Sequence, residues 1–284
     1  MVLENQQREL LNTFITGDCM DILPQLPPES VDLHFWDIPY NISCKTKIFR
    51  DYRQANGTKK SANISFNFDE KSEKQWDHDF DPIPILDASI ASLHSTGSWI
   101  IWCSEQQYGT LRQWGLDRGF HPRQMIIWVK SNPLPQFRLT GYRQATEIAI
   151  QISKEPEKIT HLMIWIAKGP IGRKNPNFIF THQNEMTNVI YAPIVSGKEK
   201  TGHPTQKPLS VCQKIIKTHC KTGGTVFDGF SGSGTSAEAA YSLRRNFIAV
   251  EQQDCWNKIA QQRIRDYQIK VEQETDKFEQ VKMF

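Results

Sequence analysis

Two short motifs, each placed directly after an apolar run, constrain this chain more than any other feature. The first is Asp37-Ile38-Pro39-Tyr40, and the second is the glycine-rich stretch FDGFSGSGT at residues 227–235. A glycine-rich turn between a strand and a helix lets the backbone approach a nucleotide-type ligand, because free amides at the helix start face it. An acidic-proline-aromatic turn offers hydrogen-bond acceptors beside a flat stacking face. Together the motifs predict a site that holds an adenosine-containing cofactor against a planar substrate.

Apolar runs alternate with helical patterns along most of the chain. Strands are predicted at residues 13–16, 31–36, 98–103, 125–129, 147–152, 225–227 and 247–250. Helices are predicted at residues 18–25, 84–94, 106–118, 209–221, 234–244 and 254–266. Most of the strands are apolar throughout, as expected for strands covered on both faces. The pattern predicts an α/β fold: a doubly wound, mostly parallel, Rossmann-like sheet with helices on both faces and a small inserted recognition region.

Two regions interrupt this alternation. Residues 43–80 are polar and lack clear periodicity over a length unusual for a connection. They could be a lid beside the site or a disordered insertion, and the sequence leaves both open. Residues 154–202 contain the turn-rich, basic stretch KGPIGRKNP, followed by Phe178 and Phe180. This second region is a candidate recognition module.

The middle of the chain carries the positive charge. The net charge is +3, but residues 122–207 contain 12 lysines and arginines against 5 acidic residues. Such a segment could neutralise phosphates and give salt-sensitive binding to nucleic acid. A solvated basic surface is the alternative on charge alone.

Length and composition exclude several other classes. A chain of 284 residues suits one large α/β domain with an insertion, or two small domains. No apolar run approaches the roughly 20 residues needed to cross a bilayer, and no secretory signal is visible at the start, so we expect no membrane association and a cytoplasmic location. The six cysteines form no CxxC pair, which predicts reduced thiols and no metal site.

The glycine turn also fits a rival interpretation. Residues 232–237 match G-x-G-x-x-A, the dinucleotide fingerprint, and Glu251 follows at roughly the ribose-binding distance. However, only 47 residues follow Ala237, too few for the remaining strands of a dinucleotide fold. The cofactor turn therefore lies late in a permuted chain order, and a nicotinamide-dependent dehydrogenase is a distant alternative.

Four landmarks, in order, resemble the amino-methylating DNA methyltransferases of the β group, which use S-adenosylmethionine. They are GDCMDIL at residues 17–23, DIPYN at 37–41, HPTQKP at 203–208, and the glycine turn leading to Glu251. The resemblance covers nearly the whole chain, and the ordered set is far more specific than any one motif. It implies a methyltransferase domain and methyl transfer to an exocyclic amino group of a base flipped out of DNA.

The resemblance also implies roles for the landmark residues. Asp18 would accept a hydrogen bond from the adenine amino group of S-adenosylmethionine, and Glu251 would bind its ribose. The Asp37 carboxylate and the Ile38 carbonyl would accept the two hydrogens of the target amine, while Tyr40 stacks on the base; Pro39 completes this catalytic turn. The remaining cofactor-binding candidates are Cys19, His203, Thr205, Lys207, Asp228, Phe230, Gly232, Ser233, Gly234 and Thr235.

The first residue of the catalytic motif bears on the target base. In the family an acidic residue there usually accompanies adenine N6 chemistry, and serine usually accompanies cytosine N4 chemistry. Asp37 therefore favours a site-specific adenine methyltransferase, with cytosine N4 methylation as the close alternative. A catalytically silent DNA-binding relative is a further alternative, which the presence of Asp37 and Tyr40 disfavours.

DNA contacts are assigned less directly. Arg173 and Lys174 are candidates for contacts to guanine edges or phosphates, and Lys130, Arg138 and Arg143 are candidates for contacts along the DNA backbone.

The implied organisation is a catalytic half at residues 1–153, a target-recognition region at 154–202, a cofactor-binding part at 203–266 and a C-terminal tail at 267–284. The resemblance also suggests a homodimer, and either pairing with a restriction endonuclease or an orphan methylase.

Ile38 departs from the family, since proline is usual at this position. The main-chain carbonyl is preserved, so the acceptor survives, whereas the fixed backbone angle of proline is lost. We expect Ile38→Pro to leave the methyl-transfer rate within about tenfold, which is about 1.4 kcal/mol of barrier. A loss of several hundredfold would show instead that isoleucine is adapted to this site.

Overall fold

The structure, a computed structural model, describes residues 9–41, 49–53, 59–63, 79–133, 145–154, 177–182 and 185–282. Within these residues, eight strands form one sheet in the order β1-β10-β9-β2-β5-β7-β6-β8. Their bounds are β1 Thr13–Thr16, β2 Val31–Asp37, β5 Leu93–Cys103, β6 His121–Lys130, β7 Thr146–Ser153, β8 Val189–Ala192, β9 Thr225–Asp228 and β10 Asn246–Glu251. A separate antiparallel pair joins β3 Phe49–Arg53 to β4 Lys59–Asn63.

Six α-helices flank the sheet in the described residues. They are α1 Cys19–Ile22, α2 Ile83–Ser89, α3 Glu105–Asp117, α4 Leu209–His219, α5 Thr235–Ser242 and α6 Asp254–Lys282. Short 3-10 helices follow at Leu23–Gln25 and Gly197–Glu199. Local chemistry fixes several of the starts: the Asp18 side chain caps α1, and Ser104 forms a capping box with Gln107 at α3. Among the described residues, no helix is both long and apolar enough to cross a membrane.

Each face of the sheet has its own hydrophobic core, because successive side chains of a strand point to opposite faces. Leu33 and Phe35 of β2 pack on one face with residues of α4, α5 and α6. Trp36 packs on the other face with residues of α1, α2 and α3, and Val31 joins this second core because the ladder shifts register between Val31 and Leu33. The strands are therefore apolar throughout, as the sequence predicts, and the doubly wound fold is confirmed.

The direction of the strands decides where chemistry can take place. Strands β1, β10, β9, β2 and β5 run parallel, whereas β7 is antiparallel to both of its neighbours, β5 and β6. The carboxyl ends of the parallel strands therefore meet at one edge of the sheet, which we call the carboxyl edge. The sequence motifs that end strands, at Asp37, Asp228 and Glu251, all lie on it.

The sequence-based elements match the structure well, with three differences. The helix predicted at residues 84–94 ends at Ser89, and Leu93 already begins β5. Strand β8 and the β3–β4 pair were not predicted. The last helix continues to Lys282, so it passes the proposed start of the tail at residue 267 without a break.

The insertion predicted at residues 43–80 begins and ends next to the catalytic turn. Asn41 and Phe80 exchange two hydrogen bonds, from Nδ2 to the Phe80 carbonyl at 2.9 Å and from the Phe80 amide to Oδ1 at 2.8 Å. These bonds join the two ends of the insertion beside residue 40. Between them only the β3–β4 backbone and residues 79–80 are described, and a lid function stays a prediction.

A buried carboxylate ties the opposite, amino edge of the sheet together. Asp32 at the start of β2 is 7% exposed. It accepts hydrogen bonds from the Thr225 amide at 2.9 Å and from Asn177 Nδ2 at 3.1 Å, and Lys221 Nζ lies 2.9 Å from its Oδ1. One side chain thus connects β2, the start of β9 and the segment at residue 177.

We expect Asp32→Ala to lower the free energy of unfolding by about 2–3 kcal/mol, because the buried Thr225 amide loses its acceptor. Asp32→Asn keeps an oxygen acceptor and should cost less. Urea denaturation followed by circular dichroism measures both. Asp117→Ala, which removes an exposed carboxylate, is the control and should stay within about 0.5 kcal/mol of the parent; a loss for Asp32→Ala no larger than that would contradict this account.

Candidate active site

The catalytic turn directly follows β2 at the carboxyl edge. Asp37 is the last residue of β2, and the Tyr40 hydroxyl donates to its Oδ1 at 2.9 Å. The Ile38 side chain is 2% exposed and belongs to the core, which fixes the backbone between Asp37 and Tyr40. Gln107 Nε2 donates to the Pro39 carbonyl at 2.7 Å and holds the turn from α3. The turn therefore presents an oriented carboxylate beside an aromatic ring.

A lysine from the HPTQKP segment reaches this turn. Lys207 Nζ lies 2.6 Å from Asp37 Oδ2, 3.0 Å from Glu147 Oε2 and 3.2 Å from the Tyr40 hydroxyl. Lys130 Nζ lies 2.7 Å from the other oxygen of Glu147. We call these four charged residues, Asp37, Glu147, Lys207 and Lys130, the charge cluster. Its charges cancel, which is the arrangement that burial of ions requires.

The charge cluster shifts the pKa of its members in different directions. Burial raises the pKa of Asp37, Lys207 opposes this effect, and Glu147 adds to it. Burial also acts on Glu147, but Lys207 and Lys130 hold the pKa of this carboxyl below its usual value. Burial works against the Lys207 ammonium, yet the carboxylates of Asp37 and Glu147 keep its pKa above the usual value. Lys207 is therefore a fixed cation.

The glycine turn connects β9 to α5 and borders the same pocket. Gly232 and Gly234 both have positive φ, at 50° and 77°, a region that favours glycine. A Cβ on Gly234 would also lie 2.5 Å from the Ala260 Cβ on α6. Arg263 of α6 supports the turn by donating to the Ser233 carbonyl at 3.1 Å and to Thr235 Oγ1 at 2.9 Å.

Two polar groups in the pocket are suited to a bound ligand. Asp228 lines the pocket, and burial raises its pKa to about 7, although the Ser236 hydroxyl and the Phe230 amide donate to it. The Ser231 hydroxyl also lines the pocket, is buried and has no hydrogen-bond partner among the described residues. A buried hydroxyl without a partner is costly, and a cationic ligand with polar groups would satisfy both residues. The pocket therefore fits the cofactor that the motifs imply.

The residues predicted to bind adenosine lie together at the ends of β1 and β10. Glu251 accepts from the Gly232 amide and the Gln253 amide, both at 2.9 Å, and burial raises its pKa. Asp18 accepts from Gln252 Nε2 at 3.1 Å. Cys19 is buried, and burial raises the pKa of its thiol to about 12, so it stays protonated.

The HPTQKP segment covers the glycine turn. The His203 ring lies 4.7 Å from the Trp256 ring, and a Cβ on Gly232 would lie 2.9 Å from His203 Nε2. Burial, with a smaller contribution from Lys207, lowers the pKa of His203 to about 4, so the ring is neutral. His203 and Lys207 thus border the pocket from opposite ends of one short segment.

The structure brings many of the predicted site residues into one pocket. Its lining includes Asp37, His203, Thr205, Lys207, Asp228, Phe230, Gly232, Ser233 and Thr235. Glu251 accepts a hydrogen bond from the amide of Gly232, which lines the pocket, whereas Asp18, Cys19 and Gly234 are not part of the lining. The individual ligand contacts assigned to these residues stay predictions.

Of the five predicted DNA-binding residues, the structure describes only Lys130. Lys130 pairs with Glu147, and its side chain is 16% exposed, so its ammonium has a partner within the protein. Arg138, Arg143, Arg173 and Lys174 lie outside the described residues. The ends of the connection from β6 to β7 lie at the carboxyl edge near Asp37, whereas Lys154 and Asn177 lie at the amino edge, where they contact Leu93 and Asp32.

Two residues that the structure places at the site were not predicted from the sequence. Glu147, the second residue of β7, was included only as part of a predicted strand, although a charged residue at the start of an apolar strand is a signal that could have identified it. Arg263 also forms an ion pair with Glu238 and supports the glycine turn. The sequence around Arg263 does not predict these contacts, because they depend on how α6 packs against α5.

The pH dependence of stability should report Asp228. Its carboxyl in the folded protein stays protonated up to about pH 7, whereas in the unfolded chain it ionises near pH 3.9. The folded state therefore holds more protons in this window, and stability falls as the pH rises through it. Relative to Asp228→Asn, the parent should lose on the order of 2–3 kcal/mol between about pH 5 and pH 8.

Urea denaturation at several pH values and constant ionic strength measures this difference. Asp117→Asn removes an exposed carboxylate and should keep the pH dependence of the parent. Parallel stability curves for the parent and Asp228→Asn would show that Asp228 ionises normally in the folded protein.

This chain resembles known proteins in both sequence and fold. The sequence model of the N6/N4 DNA methylase family matches residues 31–262. The type II methyltransferase M.HinfI of Haemophilus influenzae is 29% identical over 286 aligned residues, which cover 93% of this chain and 71% of that protein. The type II methyltransferase M2.MboI of Moraxella bovis is 28% identical over 247 residues, covering 84% of this chain and 81% of that protein.

Solved structures share the fold. The crystal structure of the M1.HpyAVI–SAM complex superimposes with a TM-score of 0.60 at 25% identity, covering 89% of this chain and 98% of that one. The PvuII DNA methyltransferase, described as cytosine-N4-specific, has a TM-score of 0.58 at 16% identity, covering 87% of this chain and 84% of that one. The family match spans most of the chain and includes both the catalytic turn and the glycine turn, so this chain belongs to the N6/N4 DNA methylase family.

Proposed function

We propose that this protein transfers a methyl group from S-adenosylmethionine to the N6 amino group of adenine in a specific DNA sequence. The observation that carries the proposal is the position of Asp37, an oriented carboxylate that lines the pocket bordered by the glycine turn. S-adenosylmethionine supplies an electrophilic methyl group when it is bound. The protein's own residues must then make an unreactive amine nucleophilic.

The chemistry explains why a carboxylate stands at this position. The lone pair of an exocyclic amine is delocalised into the base, so the nitrogen is a poor nucleophile. Hydrogen-bond acceptors that take its two hydrogens draw it towards a tetrahedral geometry and localise the lone pair. Asp37 and the Ile38 carbonyl are the proposed acceptors, and Tyr40 is the proposed stacking partner. Positioning and electrostatics then supply most of the rate acceleration.

The fold supports this assignment of roles. The Tyr40 hydroxyl is bonded to Asp37, which fixes the ring relative to the carboxylate. The nitrogen lone pair would form the new N–C bond as the bond between the methyl carbon and sulfur breaks and S-adenosylhomocysteine leaves. Asp37 is the nearest proposed acceptor for the proton that nitrogen loses. A base inside a duplex cannot reach this buried edge, so the target base has to flip out, at a cost of a few kcal/mol.

The direction of DNA approach follows from the sheet. Asp37 lies at the carboxyl edge, and the ends of the β6–β7 connection lie at the same edge. Contacts from Arg138 and Arg143 to the DNA backbone are part of the proposal for this reason. Base recognition from residues 154–202, dimer formation and pairing with a restriction endonuclease are further expectations from the family.

The decisive experiment identifies the methylated base. The purified protein is incubated with isotopically labelled S-adenosylmethionine and unmethylated genomic DNA, and the DNA is digested to nucleosides for mass spectrometry. We expect label in N6-methyladenine. Asp37→Ala should abolish it, because the target amine loses its carboxylate acceptor, whereas Asp117→Ala should retain full activity.

The other outcomes are equally informative. Label in N4-methylcytosine would keep the mechanism and overturn the choice of base. Absence of label in DNA, with S-adenosylhomocysteine binding intact, would overturn the DNA methyltransferase function and point to another acceptor. Binding of a nicotinamide dinucleotide instead would revive the dehydrogenase alternative.

A further inference from the structure

The Lys207 ammonium occupies the place where the target amine has to bind. It lies 2.6 Å from Asp37 Oδ2, and the Tyr40 hydroxyl already donates to Asp37 Oδ1. Both carboxylate oxygens are therefore engaged by the protein. Under the proposed function, an amino hydrogen of the flipped base must reach this same carboxylate, so it competes with Lys207.

The Lys207 ammonium lies between two carboxylates. It is 3.0 Å from Glu147 Oε2 and 2.6 Å from Asp37 Oδ2, so a small movement of the lysine would strengthen the contact with Glu147 and weaken the contact with Asp37. Lys130 Nζ holds the opposite oxygen of Glu147 at 2.7 Å and keeps the carboxylate in place. The Lys207 side chain is only 7% exposed, so solvent is a poor alternative for its charge.

We propose that Glu147 is a positioning residue, which draws the Lys207 ammonium away from Asp37 Oδ2 and thereby frees that oxygen for the target amine. This inference rests on the proposed function. Lys207 stays within the charge cluster as it shifts, so the site keeps its charge balance while Asp37 remains ionised. A neutral side chain at residue 147 would leave Lys207 bound to Asp37, because the competing charge would be gone.

Several groups from different elements act on the charge of Asp37. Lys207 lies before α4, Glu147 is on β7, Lys130 on β6 and Tyr40 on the turn itself. Asp228 of β9, Cys103 of β5 and Cys212 of α4 also interact electrostatically with Asp37. Burial raises the pKa of the Cys103 thiol to about 12 and raises that of the Cys212 thiol well above its usual value, so both are uncharged near neutral pH.

The first test measures the titration of Asp37 directly in the ligand-free protein. Selective ¹³C labelling of aspartate carboxyls gives NMR titration curves, and Asp37→Asn identifies the signal. In Glu147→Gln the pKa of Asp37 should fall below that of the parent, because a nearby negative charge is lost and Lys207 pairs with Asp37 alone. In Lys207→Met it should rise, because the cation is lost.

The second test is kinetic. Glu147→Gln should lower kcat by roughly tenfold, which is about 1.4 kcal/mol of barrier, while KM for S-adenosylmethionine stays within about twofold. The acidic limb of its pH–rate profile should move to lower pH together with the Asp37 titration. Glu147→Asp, which keeps the charge, should recover part of kcat. Glu105→Gln, the same chemical change at an exposed position, is the matched control and should behave like the parent.

The two tests separate this inference from the proposed function. If the parent protein methylates DNA but Glu147→Gln leaves the Asp37 titration and kcat unchanged, the role of Glu147 is wrong and the function stands. If the parent transfers no methyl group to DNA, the function fails, and the Asp37 titration still decides whether Glu147 and Asp37 share the ammonium. If Glu147→Gln does not fold, Glu147→Met, another neutral side chain of similar length, replaces it, and an Asp37 pKa unchanged in both Glu147→Met and Lys207→Met would overturn the sharing.

Discussion

The carboxyl edge of the parallel strands places acidic groups close together, and the rest of the site depends on how their repulsion is relieved. Asp37 and Asp228 end neighbouring strands and Glu147 approaches from the antiparallel strand β7. Burial and mutual repulsion favour the protonated forms of such groups. Lys207 and Lys130 neutralise two of them, whereas Asp228 keeps its proton up to about pH 7. The same edge thus contains a carboxyl group paired with a lysine next to a largely neutral acid.

Sequence patterns were sufficient for most of the fold because the central strands are buried on both faces. A run such as residues 31–36 has little alternative to a central strand, and β1 was predicted with its observed bounds. The edge strand β8 was missed because Val189–Ala192 lies within residues 154–202, which the sequence pattern assigned to a recognition module, and Pro193 directly follows it. The start of β5 at Leu93 was missed for a different reason. Residues 93–97 are more polar than the run that follows, and the ladder with β2 is irregular there: Leu93 pairs with Val31, and the next pair joins Leu33 to Ser98.

The residues of the site were likewise only partly predictable from the sequence. Residues in motifs, such as Asp37 and Gly232, could be placed from the sequence because each motif lies at a strand end. The partners of those residues could not, because Glu147 meets Lys207 only through the order of the strands in the sheet. Lys207 itself was assigned to the cofactor, and the structure also places its ammonium on Asp37. A motif therefore predicts where a backbone segment lies in the fold, whereas the tertiary structure determines which groups its side chains contact.

The pairing of β1 with β10 has a consequence for how the protein is made. Thr13 at the start of the chain is in register with Ile248, and Leu33 of β2 pairs with Val226 of β9. The centre of the sheet thus closes loops of roughly two hundred residues, and such non-local contacts form slowly. During synthesis, β1 and one side of β2 stay unpaired until the last strands have left the ribosome. The nascent chain consequently exposes apolar strand edges for most of its translation, and surface of this kind makes partly folded chains prone to aggregation.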